Sequence, residues 1–204
     1  MTIYKRGDKS PVVGQIQKAL HLVQDNIFGS ITEEAVKAFQ TKNHLKSDGM
    51  VGPATLAKLL PFWFRKSKRT IKEIIVHCSA TPEGKDFTVN DIRRWHKAQG
   101  WSDIGYHFVI YRNGHIEPGR DVDLVGAHCT GHNIYSIGIC YIGGMDRDNK
   151  QPKDTRTLVQ KAALLSLLTD LKMLYPEARI YGHRDFAAKA CPSFDATKEY
   201  KNLQ

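Results

Sequence analysis

The segment GHRDFAAKACPSFD, residues 182–195, places three reactive side chains within nine residues. His183 offers an imidazole, Lys189 a positive charge and Cys191 a thiol. By residue type alone, the segment is a metal site, half of a disulfide, or a polar loop that contains a cysteine. The N-terminus shows no apolar signal-peptide region, so we expect synthesis in a reducing cytoplasm, which favours free thiols or metal ligation over disulfides. The four cysteines, none in a CxxC pair, are Cys78, Cys129, Cys140 and Cys191.

A second histidine sits where it could join this segment. His77 lies near the end of the apolar run EIIVHCSA (73–80), and His183 ends the run ARIYGH (178–183). Both runs predict strands, and strand ends that meet at one sheet edge form ligand sites. Two imidazoles and the Cys191 thiolate leave a fourth tetrahedral position for water, the pattern of a catalytic zinc that activates water. Spacing alone leaves rivals open, namely Cys78, His96, His107, His115, His128 and His132.

The elements around these residues predict an α/β domain with a mixed central sheet and flanking helices. Thr88 and Asp91 form a capping-box pattern before a helix, and Asn113-Gly114 indicates a hairpin. Residues 136–144 predict a further central strand, and residues 157–176 an amphipathic helix.

The front of the chain contains a small repeat. DNIFGSIT (25–32) and DGMVGPAT (48–55) share the pattern Asp-x-x-apolar-Gly-x-x-Thr, offset by 23 residues. A helical pattern follows each copy, with Thr32 and Thr55 as expected N-caps. Residues 1–60 therefore predict a small all-α domain of three helices.

Residues 61–72 predict a linker. Pro61 should stop the preceding helix, and a run of basic residues follows. We expect three apolar side chains here, Phe62, Trp63 and Phe64, to pack one domain against the other. The second domain is then residues 73–204.

The net charge is +9, and residues 1–70 carry +7 of it. Such a basic front suggests an anionic partner, such as nucleic acid, an anionic membrane or the acidic polymers of a bacterial wall, although a solvated basic surface explains it equally well. No nucleic-acid-binding motif and no apolar run of membrane-spanning length occurs, so neither nucleic-acid binding nor membrane insertion is expected.

The front domain resembles the three-helix peptidoglycan-binding domains of wall hydrolases, through AVKAFQ and DGMVGPAT. The second domain resembles the type 2 N-acetylmuramoyl-L-alanine amidases, which include amidase-type phage lysozymes, and more distantly the peptidoglycan recognition proteins. The segments that carry this second resemblance are VHCSAT, RRWHKAQGWSDIGYHFVI, GRDVDLVGAH, NIYSIGICYIGG and GHRDFAAKACPSFD.

This resemblance implies roles for individual residues. His77, His183 and Cys191 would hold Zn²⁺, with Tyr106 and Lys189 as catalytic residues that handle a proton and the developing oxyanion. His128 and Asn133 match positions that line the substrate groove. Asp185 could orient a ligand histidine or pair with Arg184.

The resemblance implies cleavage of the amide between N-acetylmuramic acid and L-alanine. We expect a monomeric phage or prophage endolysin, made in the cytoplasm without a signal peptide and acting on cell-wall peptidoglycan after release. A non-catalytic recognition protein is disfavoured because Cys191, Tyr106 and Lys189 are all present. A host autolysin or an antibacterial effector would share the activity.

Overall fold

A computed structural model describes residues 3–59 and 66–204 of the chain. The chain divides into two compact units after Arg65. The aromatic residues of the predicted linker, together with Pro61, lie outside the described residues. The predicted domain limits 1–60, 61–72 and 73–204 stay predictions.

The first unit contains three helices, α1 (Pro11–Ala19), α2 (Ser30–Lys42) and α3 (Pro53–Leu59). Ser10 caps α1 by accepting the Val13 N–H at 3.3 Å, which satisfies one of the free donors of the first turn. The helical N-terminal domain is thus confirmed. Its buried core consists of Tyr4, Val12, Val13, Ile16, Phe28, Val36, Val51, Leu56 and Leu59.

The repeat in the sequence is a repeat of hydrogen bonds. The Gln17 amide nitrogen lies 2.7 Å from Oδ1 of Asp25 and 3.1 Å from Oγ1 of Thr32, and the Asn26 N–H donates to the Gln17 side-chain oxygen at 3.0 Å. Twenty-three residues later, the same contacts recur. Gln40 contacts Asp48 at 3.0 Å and Thr55 at 3.1 Å, and its oxygen accepts the Gly49 N–H at 2.9 Å.

These contacts correct the predicted caps. The N-cap of α2 is Gly29, and Thr32 lies inside the helix, as Thr55 does in α3. Each threonine hydroxyl instead accepts a hydrogen bond from the buried glutamine of its repeat. The prediction that these threonines are N-caps was wrong, because each hydroxyl accepts a hydrogen bond from a glutamine 15 residues earlier in the chain.

The second unit is built on a mixed five-stranded sheet. Its strands are β1 (Glu73–Cys78), β3 (Phe108–Ile110), β4 (Ile116–Pro118), β5 (Ser136–Tyr141) and β7 (Arg179–Gly182), and a separate pair consists of β2 (Thr81–Pro82) and β6 (Gly144–Met145). The order in the large sheet is β4-β3-β5-β1-β7. All neighbouring strands of this sheet pair in parallel except the β3–β4 hairpin, whose turn contains Gly114 at φ +82° as the Asn-Gly signal predicted.

Helices α4 (Val89–Ala98), α5 (Leu158–Leu174) and α6 (Ala196–Glu199) complete this unit. The predicted capping box is confirmed, because Thr88 accepts the Asp91 N–H and Asp91 accepts the Thr88 N–H. Helix α4 packs its apolar side on Val109 and Cys140. His77 is in register with Cys140, and Cys140 with Val109, so all three share the sheet face that α4 covers. Among the described helices, none is both long and apolar enough to cross a membrane.

Residues at the end of the predicted linker are bonded into the second unit. The Ser67 hydroxyl donates to the Val122 carbonyl at 2.7 Å. The Arg69 guanidinium donates to the carbonyls of Val122, at 2.9 Å, and Ser136, at 3.1 Å. This segment therefore fixes the loops that precede β5.

Candidate metal centre

The three predicted ligands converge at one edge of the sheet. His77 is the penultimate residue of β1, and His183 directly follows β7. Because β1 and β7 are parallel neighbours, their carboxyl ends lie side by side. The candidate ligand atoms of His77, His183 and Cys191 all lie within 4.8 Å of one another. The imidazole rings of the two histidines are 4.6 Å apart, centroid to centroid.

Cys191 reaches this edge from the loop after β7. Its Sγ lies 3.8 Å from Nδ1 of His77 and accepts the Cys78 N–H at 3.3 Å. The Arg184 N–H donates to the Cys191 carbonyl at 2.7 Å, which ties the loop back to the strand end. The Cys191 thiol has a raised pKa, first from its hydrogen bond with the Cys78 thiol and then from burial. A bound cation would reverse this effect, since coordination deprotonates a thiol.

The histidines of the centre are held in the neutral form. Burial lowers the pKa of His77 well below its ordinary value, and the neighbouring His128, His183 and Lys189 lower it further. Burial, and then the charge of Lys189, also lower the pKa of His183. Neutral imidazoles keep a lone pair available, which is the form that binds a metal.

The two predicted catalytic residues, Tyr106 and Lys189, differ in charge. Tyr106 comes two residues before β3, and its ring lies 5.1 Å from the ring of His77. Burial, followed by the nearby thiols of Cys140 and Cys191, raises the pKa of Tyr106 well above its ordinary value, so the phenol keeps its proton. Lys189 is exposed, and its charge is felt by both histidines of the centre.

His128 and Asn133 both precede β5, and Asn133 begins a 3-10 helix (Asn133–Tyr135). His128 is 7% exposed, with Nδ1 at 3.0 Å from Nε2 of His77 and Nε2 at 3.2 Å from Oγ of Ser136. The Asn133 Oδ1 accepts the N–H groups of His128, at 2.8 Å, and Cys129, at 2.9 Å. Both predicted substrate-binding residues therefore make structural contacts. Sequence patterns gave no signal for the contact between His77 and His128, which are 51 residues apart.

Four of the rival histidines are engaged elsewhere. The other two rivals lie at the centre, where His128 contacts His77 and the Cys78 thiol lies 3.7 Å from the Ser193 hydroxyl. Nδ1 of His96 accepts the Gly105 N–H, and the rings of His115 and His132 contact Glu117 and Glu73. His107 accepts the Gly138 N–H at 2.9 Å. Oδ2 of Asp185 accepts hydrogen bonds from the Gly182 N–H and the Thr197 hydroxyl, and both predicted roles of Asp185 stay predictions.

The fold and this cluster define the class of protein: an α/β protein with a mixed sheet and a candidate His-His-Cys metal site at the carboxyl ends of β1 and β7. The family model of N-acetylmuramoyl-L-alanine amidases matches residues 67–194, and that of a peptidoglycan binding domain matches residues 10–59. The chain therefore belongs to the N-acetylmuramoyl-L-alanine amidase family, and it is an amidase with a peptidoglycan-binding type of domain in front.

Individual proteins agree with this assignment. The chain is 50% identical to an endolysin of Klebsiella phage KP32, over 65% of this chain and 86% of the relative. It is 46% identical to the endolysin of Escherichia phage T7, over 64% of this chain and 85% of the relative. The solved amidase LysC from Clostridium intestinale URNW superposes with a TM-score of 0.56 at 28% identity, covering 66% of this chain and 86% of that one.

Proposed function

We propose that this amidase is zinc-dependent and cleaves the amide between N-acetylmuramic acid and L-alanine in bacterial peptidoglycan. The observation that carries the proposal is the cluster of His77, His183 and Cys191, with ligand atoms within 4.8 Å of one another. Two nitrogens and one sulfur suit zinc better than a hard cation such as magnesium, which prefers oxygen ligands.

His77, His183 and Cys191 would hold the zinc and leave a fourth position open. A zinc ion bound there would polarise the scissile carbonyl and supply hydroxide at neutral pH. The chain provides the neutral imidazoles and holds Cys191 in place through the Cys78 N–H and the Arg184 N–H.

Lys189 and Tyr106 supply the remaining chemistry. The exposed ammonium of Lys189, two residues before Cys191, stabilises the negative charge that develops on the amide oxygen. The phenol of Tyr106, beside His77, keeps its proton, so its hydroxyl can donate a hydrogen bond to the reacting amide. Direct substrate contact by His128 and Asn133 stays a prediction.

The relatives support a place of action for this chain. Because the similar phage proteins are endolysins, we infer that this chain is a phage or prophage endolysin, made in the cytoplasm and acting on the cell wall after release. The first unit, with its basic charge and its family match, would bind peptidoglycan.

Replacing one ligand tests the proposal. Cys191→Ala should lose both bound zinc and the release of new amino termini from purified sacculi, because two imidazoles alone hold zinc weakly. Cys129→Ala is the matched control, since Cys129 is another free cysteine of the second unit and lies outside the cluster. Zinc content and activity are measured on the same samples. Full activity in Cys191→Ala would contradict the proposal.

A further inference from the structure

The ring of His128 occupies a slot between two glycines. A Cβ on Gly126 or on Gly138 would lie 2.5 Å from Cδ2 of His128, so a side chain at either position would displace the ring. Gly138 is in β5, a central strand, where glycine normally weakens the sheet. The two glycines thus leave room for an imidazole in one position, directly beside His77.

Hydrogen bonds give this ring a direction. Nδ1 of His77 is the nitrogen that faces Cys191, at 3.8 Å from Sγ. Its other nitrogen, Nε2, lies 3.0 Å from Nδ1 of His128, whose Nε2 lies 3.2 Å from Oγ of Ser136. A ligand atom carries no proton, so a neutral His77 that binds a cation through Nδ1 must carry its proton on Nε2.

A proton on Nε2 of His77 fixes the direction of the next two hydrogen bonds. His77 donates from Nε2 to an unprotonated Nδ1 of His128. A neutral His128 then carries its own proton on Nε2 and donates it to Ser136. Each of the three side chains keeps one consistent role, and both nitrogens of His128 are used by protein atoms.

We propose that His128 is a positioning residue, which holds His77 in the tautomer and orientation that present Nδ1 to the metal. The inference rests on the proposed zinc centre. A ligand histidine usually donates its second N–H to such an acceptor, and removing the acceptor costs about 10–100-fold in metal affinity. In this role His128 acts on the metal ligand rather than on the substrate.

Another buried histidine provides a control. The ring of His107 lies 5.8 Å from that of His128. Its described hydrogen-bond contacts go to Gly138, Leu124 and Arg69, and none goes to a ligand of the centre. His107→Asn keeps an acceptor for the Gly138 N–H and should leave zinc affinity unchanged.

Two variants at position 128 separate packing from hydrogen bonding. His128→Phe fills the slot without an acceptor, and His128→Asn keeps an acceptor close to the place of Nδ1. Competition with a chromophoric chelator should show zinc bound about 10–100-fold more weakly by His128→Phe, with His128→Asn close to the wild type. Equal zinc affinity in all three proteins would overturn the inference, as would an effect confined to KM for a soluble muramyl peptide, which indicates substrate contact.

A second measurement needs no variant. Nitrogen-15 spectra of the imidazoles in the zinc-loaded wild type should show His77 protonated at Nε2, with that proton hydrogen-bonded to His128. A proton on Nδ1 of His77 would overturn the inference. If the wild type binds no zinc, the proposed function fails instead, and the spectrum of the metal-free protein still decides whether Nε2 of His77 carries the proton.

Discussion

The surrounding protein affects the charge of each residue at the candidate metal centre differently. Burial keeps His77 neutral and keeps the phenol of Tyr106 protonated. Lys189 stays in solvent, and its charge still lowers the pKa of His183. The centre therefore combines neutral imidazoles and a protonated phenol with one exposed cation, which suits a reaction that develops negative charge on a carbonyl oxygen.

Lys189→Ala should lower kcat about 100-fold, the usual loss when one oxyanion-stabilising group is removed. Zinc content should not change, because Lys189 is not among the candidate ligands. Lys198→Ala, at another exposed lysine, is the control. Steady-state kinetics and zinc content are measured together, and a loss of zinc in Lys189→Ala would show that the residue is needed for the metal rather than for turnover.

Asp170 in α5 is a buried carboxyl whose Oδ1 has no hydrogen-bond partner among the described residues. Burial raises its pKa to about 7, from an ordinary value of 3.8. The folded protein therefore binds more protons than the unfolded chain between these two values. The contribution of Asp170 to stability falls as pH rises through this window, and the cost of the buried charge is complete above pH 7.

Asp170→Asn should remove this pH dependence and raise the urea midpoint at pH 8, because the amide carries no charge. Asp148→Asn, at an exposed carboxyl, should leave the pH dependence of the urea midpoint as in the wild type. Urea unfolding of each protein at pH 5 and pH 8 gives the comparison. If Asp170→Asn loses as much stability between pH 5 and pH 8 as the wild type does, Asp170 is not the source of that loss.

At the scale of elements, the first unit is held together by two equivalent buried amides. Gln17 joins α1 to the turn before α2, and Gln40 joins α2 to the turn before α3. Each amide satisfies a carboxylate, a threonine hydroxyl and backbone groups at once. Helices this short are marginal alone, so these contacts add to the packing that fixes them.

Gln17→Ala and Gln40→Ala should each destabilise the first unit by roughly 2 kcal/mol, because several buried polar groups lose their partner. Gln24→Ala, at an exposed position, should have little effect. Amide hydrogen exchange of peptides from residues 3–59 measures this unit separately from the second. Unequal effects of the two substitutions would show that the repeats are not equivalent in energy.

At the scale of the whole molecule, the amidase match and the peptidoglycan-binding-domain match fall in different units. The amidase model matches residues 67–194, and the phage endolysins are matched over about six-sevenths of their length by two-thirds of this chain. The second unit therefore corresponds to nearly the whole of those relatives, and the first unit is an additional module with its own core.

A chain reduced to residues 66–204 should cleave a soluble muramyl peptide with unchanged kcat/KM, because all three candidate ligands lie in this unit. Its binding to purified sacculi should weaken, since the proposed wall-binding module is missing. Sedimentation with sacculi and kinetics on the soluble substrate measure the two effects. Unchanged sedimentation would show that the first unit does not bind the wall.

The sequence alone predicted the main elements of the second unit and a candidate ligand set. Apolar periodicity, the Thr88–Asp91 capping box and the Asn113-Gly114 turn are local patterns, which act within a few residues and can be read directly. Resemblance selected His77, His183 and Cys191 from nine histidines and four cysteines, and spacing alone left the rivals open.

Only the tertiary structure decided which side chains support these elements. Gln17, Arg69 and His128 each take partners that local periodicity does not mark, such as Ser136 for Arg69, 67 residues away. Thr32 has a cap-like local sequence, yet its hydroxyl bonds a glutamine 15 residues earlier. Buried polar groups must find partners wherever the fold brings them together, so their contacts are set by packing and not by neighbours in the chain.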